Sequence, residues 1–181
     1  MFARTKRLTL RPVWPEDAPA VAAAIGHQSV ARMLMRVPYP YGLADAEAFV
    51  ARARAPHDPR FVIVAHDRPA PTIVGGIAIQ EEPEGHHLAY WLTPDAWGRG
   101  YATEAGRAVI AMARYALPIR ELRAWHFADN AASGRVLAKL GFRRTGEIAA
   151  KTSGGREGVT PSVEYALDLE GEQSAPMPIA A

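Results

Sequence analysis

The stretch HLAYWLTPDAWGRGYATEAGRAVIAMARYA, residues 87–116, constrains the fold more than any other part of the chain. It opens as an apolar run of strand length, breaks at Gly98 and Gly100 on either side of Arg99, and resumes with Ala105, Ala108, Val109, Met112, Ala113 and Ala116 at helical spacing. A strand running through a glycine turn into a long helix commits the chain to a layered α/β arrangement. The glycines themselves admit two readings. They make a tight turn, or they let an anion reach the unpaired N–H groups and partial positive charge at the helix start, where no Cβ stands in the way.

The rest of the chain supplies matching elements. Leu8, Leu10 and Val13 mark a first strand ended by Pro12 and Pro15, and helical spacing follows over residues 16–25 and 43–54, separated by the loop VPYPYG. FVIVAH (61–66) and TIVGGIAIQ (72–80) read as a hairpin, with Gly75 and Gly76 marking a bulge or a close backbone approach. ELRAWHF (121–127) reads as a strand, NAASGRVLAKLG (130–141) as a helix stopped by Gly141, and FRRTGEIAA and SVEYALDL as closing strands. The reading is one domain over residues 1–170, with a tail over 171–181 expected to be disordered.

Composition narrows the chemistry. With 49% hydrophobic and 22% charged residues the chain can bury a sizeable core. It has no cysteine, so disulfides, thiolate metal sites and a cysteine nucleophile are excluded. The six histidines show no HExxH or comparable ligand spacing, and no metal is expected. Arginines greatly outnumber lysines, yet the net charge is only +2 and no basic run is interleaved with aromatics, so neither nucleic acid nor membrane is an expected partner. Without a signal peptide or a spanning segment, the expected location is cytoplasmic. The glycine junction fits no common nucleotide motif: GxxxxGK[ST] is absent, and Gly106 falls too far from Gly100 for GxGxxG.

AYWLTPDAWGRGYATEA, followed about thirty residues later by NAASGRVLAKLGF, resembles the GNAT superfamily of acyl-CoA-dependent N-acetyltransferases, and within it the RimJ/RimL-like branch. TKRLTLRP and GGIAI match that branch too, so the resemblance spans residues 5–169. It implies an α/β (α+β) GNAT fold: a mixed, mostly antiparallel, splayed sheet of six to seven strands flanked by about four helices. It also implies acetyl-CoA as co-substrate, a primary amine (a protein N-terminus or a small amine) as acceptor, and a monomer or homodimer. The family cradle [QR]-x-x-G-x-[GA] is written here as Trp97, Gly98, Arg99, Gly100, Tyr101, Ala102, with Trp97 departing from the pattern.

By position, the resemblance assigns the backbone N–H groups of Gly98, Arg99, Gly100, Tyr101, Ala102 and Thr103 to the pyrophosphate, and the backbone of Leu92 and Thr93 to pantetheine. It matches Asn130 to the pantetheine arm and Ser133 to the thioester sulfur, and Arg99 and Arg135 are candidates for the CoA phosphates. Ser133 also stands out by itself, because it shares the apolar helix face of Val136, Leu137 and Leu140 and needs a partner there, its own first turn or a ligand. Asn130 doubles as a helix cap.

The implied reaction is direct attack of a neutral amine on the thioester in a ternary complex, since no cysteine is available for an acyl-enzyme. The segment that in the branch reads E-[IL]-G-Y is His87, Leu88, Ala89, Tyr90 here, which makes His87 the candidate base, with Glu81, Glu82 and His126 as rivals or His87 as a plain strand-edge residue. The tyrosine that many relatives place after the asparagine is missing, Val136 and Leu137 standing in that region. A non-catalytic acyl-CoA sensor of the same fold, and a nucleotide-binding enzyme using the same cradle, are the competing classes.

Overall fold

The computed structural model describes residues 2–52 and 59–170. Its eight strands form one open sheet in the order β1-β2-β3-β4-β5-β6-β8-β7, every neighbouring pair antiparallel except β5 and β6. In chain order these are β1 (Ala3–Arg4), β2 (Leu8–Arg11), β3 (Arg60–Ala65), β4 (Thr72–Glu82), β5 (Gly85–Leu92), β6 (Glu121–Phe127), β7 (Arg143–Lys151) and β8 (Thr160–Asp168). The helices are α1 (Ala18–Ile25), α2 (Gln28–Ala31), α3 (Leu43–Val50), α4 (Tyr101–Ala116) and α5 (Ala131–Lys139).

The expected fold class holds, with differences at its edges. The strand beyond seven is the two-residue β1, and the helix beyond four is the single turn α2, both too short to show a periodicity. β2 stops at Arg11 because Pro12 has no N–H to donate, and Val13 packs instead against a small apolar cluster. The helix expected over 16–25 begins as a 3-10 turn, Pro15–Asp17. The one expected over 43–54 ends at Val50; its last two positions and the tail over 171–181 lie outside the described residues.

Two apolar layers sandwich the sheet. The larger is built by α4 and α5, with Tyr101, Ala105, Val109, Ala113 and Leu137 fully buried against Leu88, Leu122 and Ala124. Burying one such side chain contributes about 1.5 to 3 kcal/mol, so this layer holds both helices against the sheet. The smaller layer packs Ala18, Val21 and Ala46 of α1 and α3 on Val62 and Val64 of β3.

Gly75 and Gly76 do both things expected of them. The β3–β4 register jumps from Ile63↔Gly75 to Val64↔Ile73, leaving Val74 bulged beside them. A Cβ on Gly75 would collide with the Trp91 carbonyl, and one on Gly76 would lie 2.7 Å from Trp91 Nε1. The bulge therefore seats β5 and its Trp91 directly on β4.

Candidate active site

The only parallel pairing among the described strands is also the one with the fewest register positions. β5 and β6 meet at a single register position, His87↔Arg123, and diverge beyond it, so a wedge opens between the C-terminal halves of the two strands. Thr93 donates its N–H to Val74 of β4, and because backbone groups alternate sides along a strand, the Leu92 N–H faces the open wedge. The Leu92 carbonyl accepts from Trp97 Nε1 at 2.9 Å. Trp97, the one departure from the family cradle, thus braces the end of β5 while its ring stays half exposed.

From the strand end the chain passes through a 3-10 turn, Pro94–Ala96, into the glycine junction. Gly98 and Gly100 have φ of +74° and +80°, a conformation that an L side chain adopts only with strain. Nothing lies within 4 Å of where a Cβ on Gly98 would stand, so conformation rather than crowding demands glycine there. Gly100 caps α4 with no side-chain hydrogen bond, leaving the N–H groups of Tyr101, Ala102 and Thr103 pointing out of a sixteen-residue helix. Left-handed glycines leading into an uncapped helix start form a nest for an anion, and this geometry fits the pyrophosphate of acetyl-CoA.

The nest is held by a residue that the motif does not contain. Arg7, in the turn before β2, donates from Nη1 to the Arg99 carbonyl at 3.0 Å, lies over the Tyr101 ring at 4.8 Å, and is itself clamped by Glu104 through Nε at 2.8 Å and Nη2 at 2.7 Å. Burial pushes the Glu104 carboxyl up, but hydrogen bonds from Thr5 Oγ1 and from the backbone and side chain of Arg7 prevail and hold it below its ordinary value. Arg99 itself is exposed and donates to the Asp95 carbonyl at 3.2 Å, while Arg135 is exposed on α5.

α5 begins beside the wedge. Asn130 caps it, its Oδ1 accepting from the Ser133 N–H at 3.2 Å. The Ser133 hydroxyl does not bond its own turn: its Oγ lies 2.7 Å from the Tyr90 hydroxyl of β5. Burial pushes the Tyr90 hydroxyl up to about 12, so it keeps its proton. Tyr90 thus brings a phenol to the first turn of the helix whose Val136 and Leu137 cannot provide one.

On the opposite face of β5, in alternation with Tyr90, stand His87, Ala89 and Trp91. His87 is 6% exposed, and neither ring nitrogen has a hydrogen-bond partner among the described residues. Burial pushes its imidazole below the ordinary value, against an upward pull from Glu82, so it stands neutral near pH 7. The rivals differ. His126 is engaged at both nitrogens, by the Phe127 carbonyl at 2.8 Å and the Tyr165 hydroxyl at 3.2 Å, Glu82 is paired with Arg36 at 2.9 Å, and Glu81 is exposed.

This face is walled by a second loop system. Arg156 donates to both carboxylate oxygens of Asp129 at 2.8 Å and to the Arg32 carbonyl at 2.6 Å, and stacks on Phe127 at 4.7 Å, tying the β7–β8 loop to α2 and to the turn before α5. Trp125 meets Phe127 edge to face at 5.2 Å. A separate cavity of about 870 Å³ lies between α1 and β2–β4; of the candidate residues it includes only Thr93, and its lining is joined by the Arg11–Asp17, Thr9–His66 and Arg68–Asp95 pairs, with the buried Arg68 Nε left without a partner among the described residues.

Comparison with known proteins gives the family. Residues 7–143 match the acetyltransferase (GNAT) domain, which is more than half of the chain, and the protein belongs to that family of acyl-CoA-dependent acetyltransferases, whose co-substrate is acetyl-CoA. It is 29% identical over 157 residues to the N-acetyltransferase YoaA of Bacillus subtilis, covering 80% of this chain and 84% of that one. A GNAT-family acetyltransferase from Bacillus anthracis shares the fold with a TM-score of 0.79 at 22% identity over 94% of this chain and 99% of that one. RimL, the ribosomal L7/L12 α-N-protein acetyltransferase solved with coenzyme A, does so with a TM-score of 0.77 at 17% identity over 95% and 100% of the two chains. Among the described residues no helix is long and apolar enough to cross a membrane.

Proposed function

We propose that this acetyltransferase acts on a primary amine, a protein N-terminus or a small amine, by direct attack within a ternary complex, with His87 receiving the amine proton. The observation that carries this reading is the His87 imidazole: buried, neutral and unpartnered on one face of β5, while Tyr90 and Ser133 meet on the other.

Acetyl-CoA supplies the thioester carbon that the amine nitrogen attacks and the thiolate that leaves. The uncapped start of α4, with Gly98, Arg99, Gly100, Tyr101, Ala102 and Thr103, holds its pyrophosphate, and the exposed Arg99 and Arg135 are the cations offered to its phosphates. Leu92 lines the wedge with its backbone, and its N–H is the donor available to a developing oxyanion. Thr93, expected to share in holding pantetheine, has its N–H given to Val74 and its carbonyl accepting from Ala96. Asn130 fixes the start of α5 so that Ser133 presents its hydroxyl where the thiolate departs. His87 takes a proton from the attacking nitrogen, a task that suits a neutral imidazole.

The test is thiol release with a panel of small primary amines and N-terminal peptides, across pH, for the protein and for His87→Ala. Turnover is expected with at least one amine, with an ionisation below about 6.5 in the profile that the variant lacks. Acetyl-CoA binding without turnover on any amine, or identical profiles for the two proteins, would refute the reading.

A further inference from the structure

The β4–β5 hairpin brings together a group that no linear motif announces. Glu82 near the end of β4, Glu84 in the turn and His87 in β5 each offer one ligand atom, and the three atoms lie within 4.8 Å of one another. Two glutamates on a hairpin are ordinary surface chemistry. What separates this cluster from that is His87, more than nine-tenths buried, with both nitrogens unpartnered and one of them turned toward the carboxylates.

We propose that Glu82, Glu84 and His87 form a three-ligand site for a divalent transition-metal ion of the zinc class, and that an ion held there inhibits acetyl transfer by occupying His87. The inhibition, though not the binding, rests on the proposed role of His87 as base.

The donor set selects this class of ion. One imidazole and two carboxylates leave a fourth position open, as tetrahedral zinc or cobalt sites do, whereas magnesium and calcium require six or more oxygens and copper(I) prefers sulfur. His87 stands deprotonated near pH 7, the form that ligates. Ligand atoms about 2.1 Å from a tetrahedral ion lie roughly 3.4 Å apart, so the cluster must close by little more than an ångström. Glu84 is exposed and can rotate to do this.

The surrounding charges oppose one another. Arg36 pairs with Glu82 at 2.9 Å, but its side chain is 60% exposed and can swing into solvent when a metal takes the carboxylate. Glu164 adds negative charge near His87, and Lys151, 3.3 Å from Glu164, offsets it. An incoming ion and the ammonium form of an acceptor amine would then compete for the same acidic mouth.

The experiment titrates Co²⁺ into tag-free protein and follows its visible d–d absorption, with calorimetry of Zn²⁺ alongside. One ion per chain with the intense spectrum of a four-coordinate site is expected, weakened about tenfold or more by Glu84→Gln and abolished by His87→Ala. Glu84→Gln should leave metal-free acetyl transfer within about twofold, because Glu84 is exposed, makes no hydrogen bond to His87 and exerts the smallest of the pulls on its imidazole, while moving the midpoint of Zn²⁺ inhibition by the same factor as its binding. A spectrum that remains that of aqueous Co²⁺, or equal binding by protein and Glu84→Gln, would overturn the site. Binding without inhibition would leave the site standing and remove His87 from the chemistry, which separates failure of the inhibition from failure of the metal site.

Discussion

The Tyr90 hydroxyl of β5 lies 2.7 Å from Ser133 Oγ of α5, and 3.2 Å from the Ser133 carbonyl. Two protons are shared among three oxygens, and their arrangement matters. If Tyr90 donates to Oγ, the serine proton is free to turn toward a departing thiolate; if Tyr90 donates to the carbonyl, Ser133 donates back to Tyr90. With its hydroxyl near 12, Tyr90 orients the serine and does not itself surrender a proton.

Tyr90→Phe is therefore expected to lower kcat about tenfold, the worth of one well-placed hydrogen bond, while leaving acetyl-CoA affinity within about threefold. Ser133→Ala should do the same, and the double variant should be little worse than either single one, since both changes remove one arrangement. Steady-state kinetics beside calorimetry of acetyl-CoA decides this. Additive losses, or a loss confined to affinity, would make the pair a packing contact.

What could be read from the sequence was local. The glycine junction, the inward face of α5 and the cap at Asn130 depend on spacings of a few residues, and each is found where the pattern placed it. The contacts that complete the site join distant parts of the chain. Tyr90 and Ser133 are 43 residues apart, and Arg7 and Glu104 are 97 apart; no periodicity links either pair. Tyr90 stood in the quoted strand as a position that keeps the E-[IL]-G-Y pattern, with no role attached to it, and Arg7 lay in TKRLTLRP as one arginine among many. The distinction between His87 and His126 was likewise invisible, because it rests on which imidazole finds partners after folding.

Gly100→Val places a β-branched residue at φ +80°, where even an unbranched L residue costs about 1 to 2 kcal/mol. Relief of that strain rotates the N–H groups of the α4 start away from the nest. The expected outcome is loss of acetyl-CoA binding by at least about a hundredfold, with circular dichroism unchanged and a melting temperature a few degrees lower. Unchanged affinity by calorimetry would show that the pyrophosphate sits elsewhere.

Arg7→Ala removes the brace between the β1–β2 turn, Glu104 and the Arg99 carbonyl. The pair is partly exposed, so its loss is worth about 1 to 2 kcal/mol rather than the full value of a buried charge pair, or roughly 2 to 8 °C in melting temperature at this size. Acetyl-CoA should bind more weakly as well, because the loop carrying Arg99 is no longer fixed. The effect has a pH signature. Glu104 is held below its ordinary 4.5 in the folded state, so its contribution is present above 4.5 and is lost as pH falls through the lower folded value. The stability gap between the two proteins should accordingly narrow in acid, and a gap independent of pH would assign the loss to packing alone.

His87 gives a dependence of the same sign over a higher pH window. Burial lowers its imidazole below the ordinary 6.5, with Lys151 adding to that push and Glu82, Glu164 and Glu84 pulling upward. Below about 6.5 the unfolded chain binds a proton that the folded one refuses, so stability rises with pH up to that value and falls on acidification. One such proton contributes a slope of no more than about 1.4 kcal/mol per pH unit. Urea denaturation between pH 7 and pH 5 should show this decline in the protein and a shallower one in His87→Gln, which keeps a polar side chain of similar size but cannot titrate. Parallel curves would mean that the folded protein protonates His87 as readily as the unfolded chain does, and would remove the basis for treating it as a neutral base.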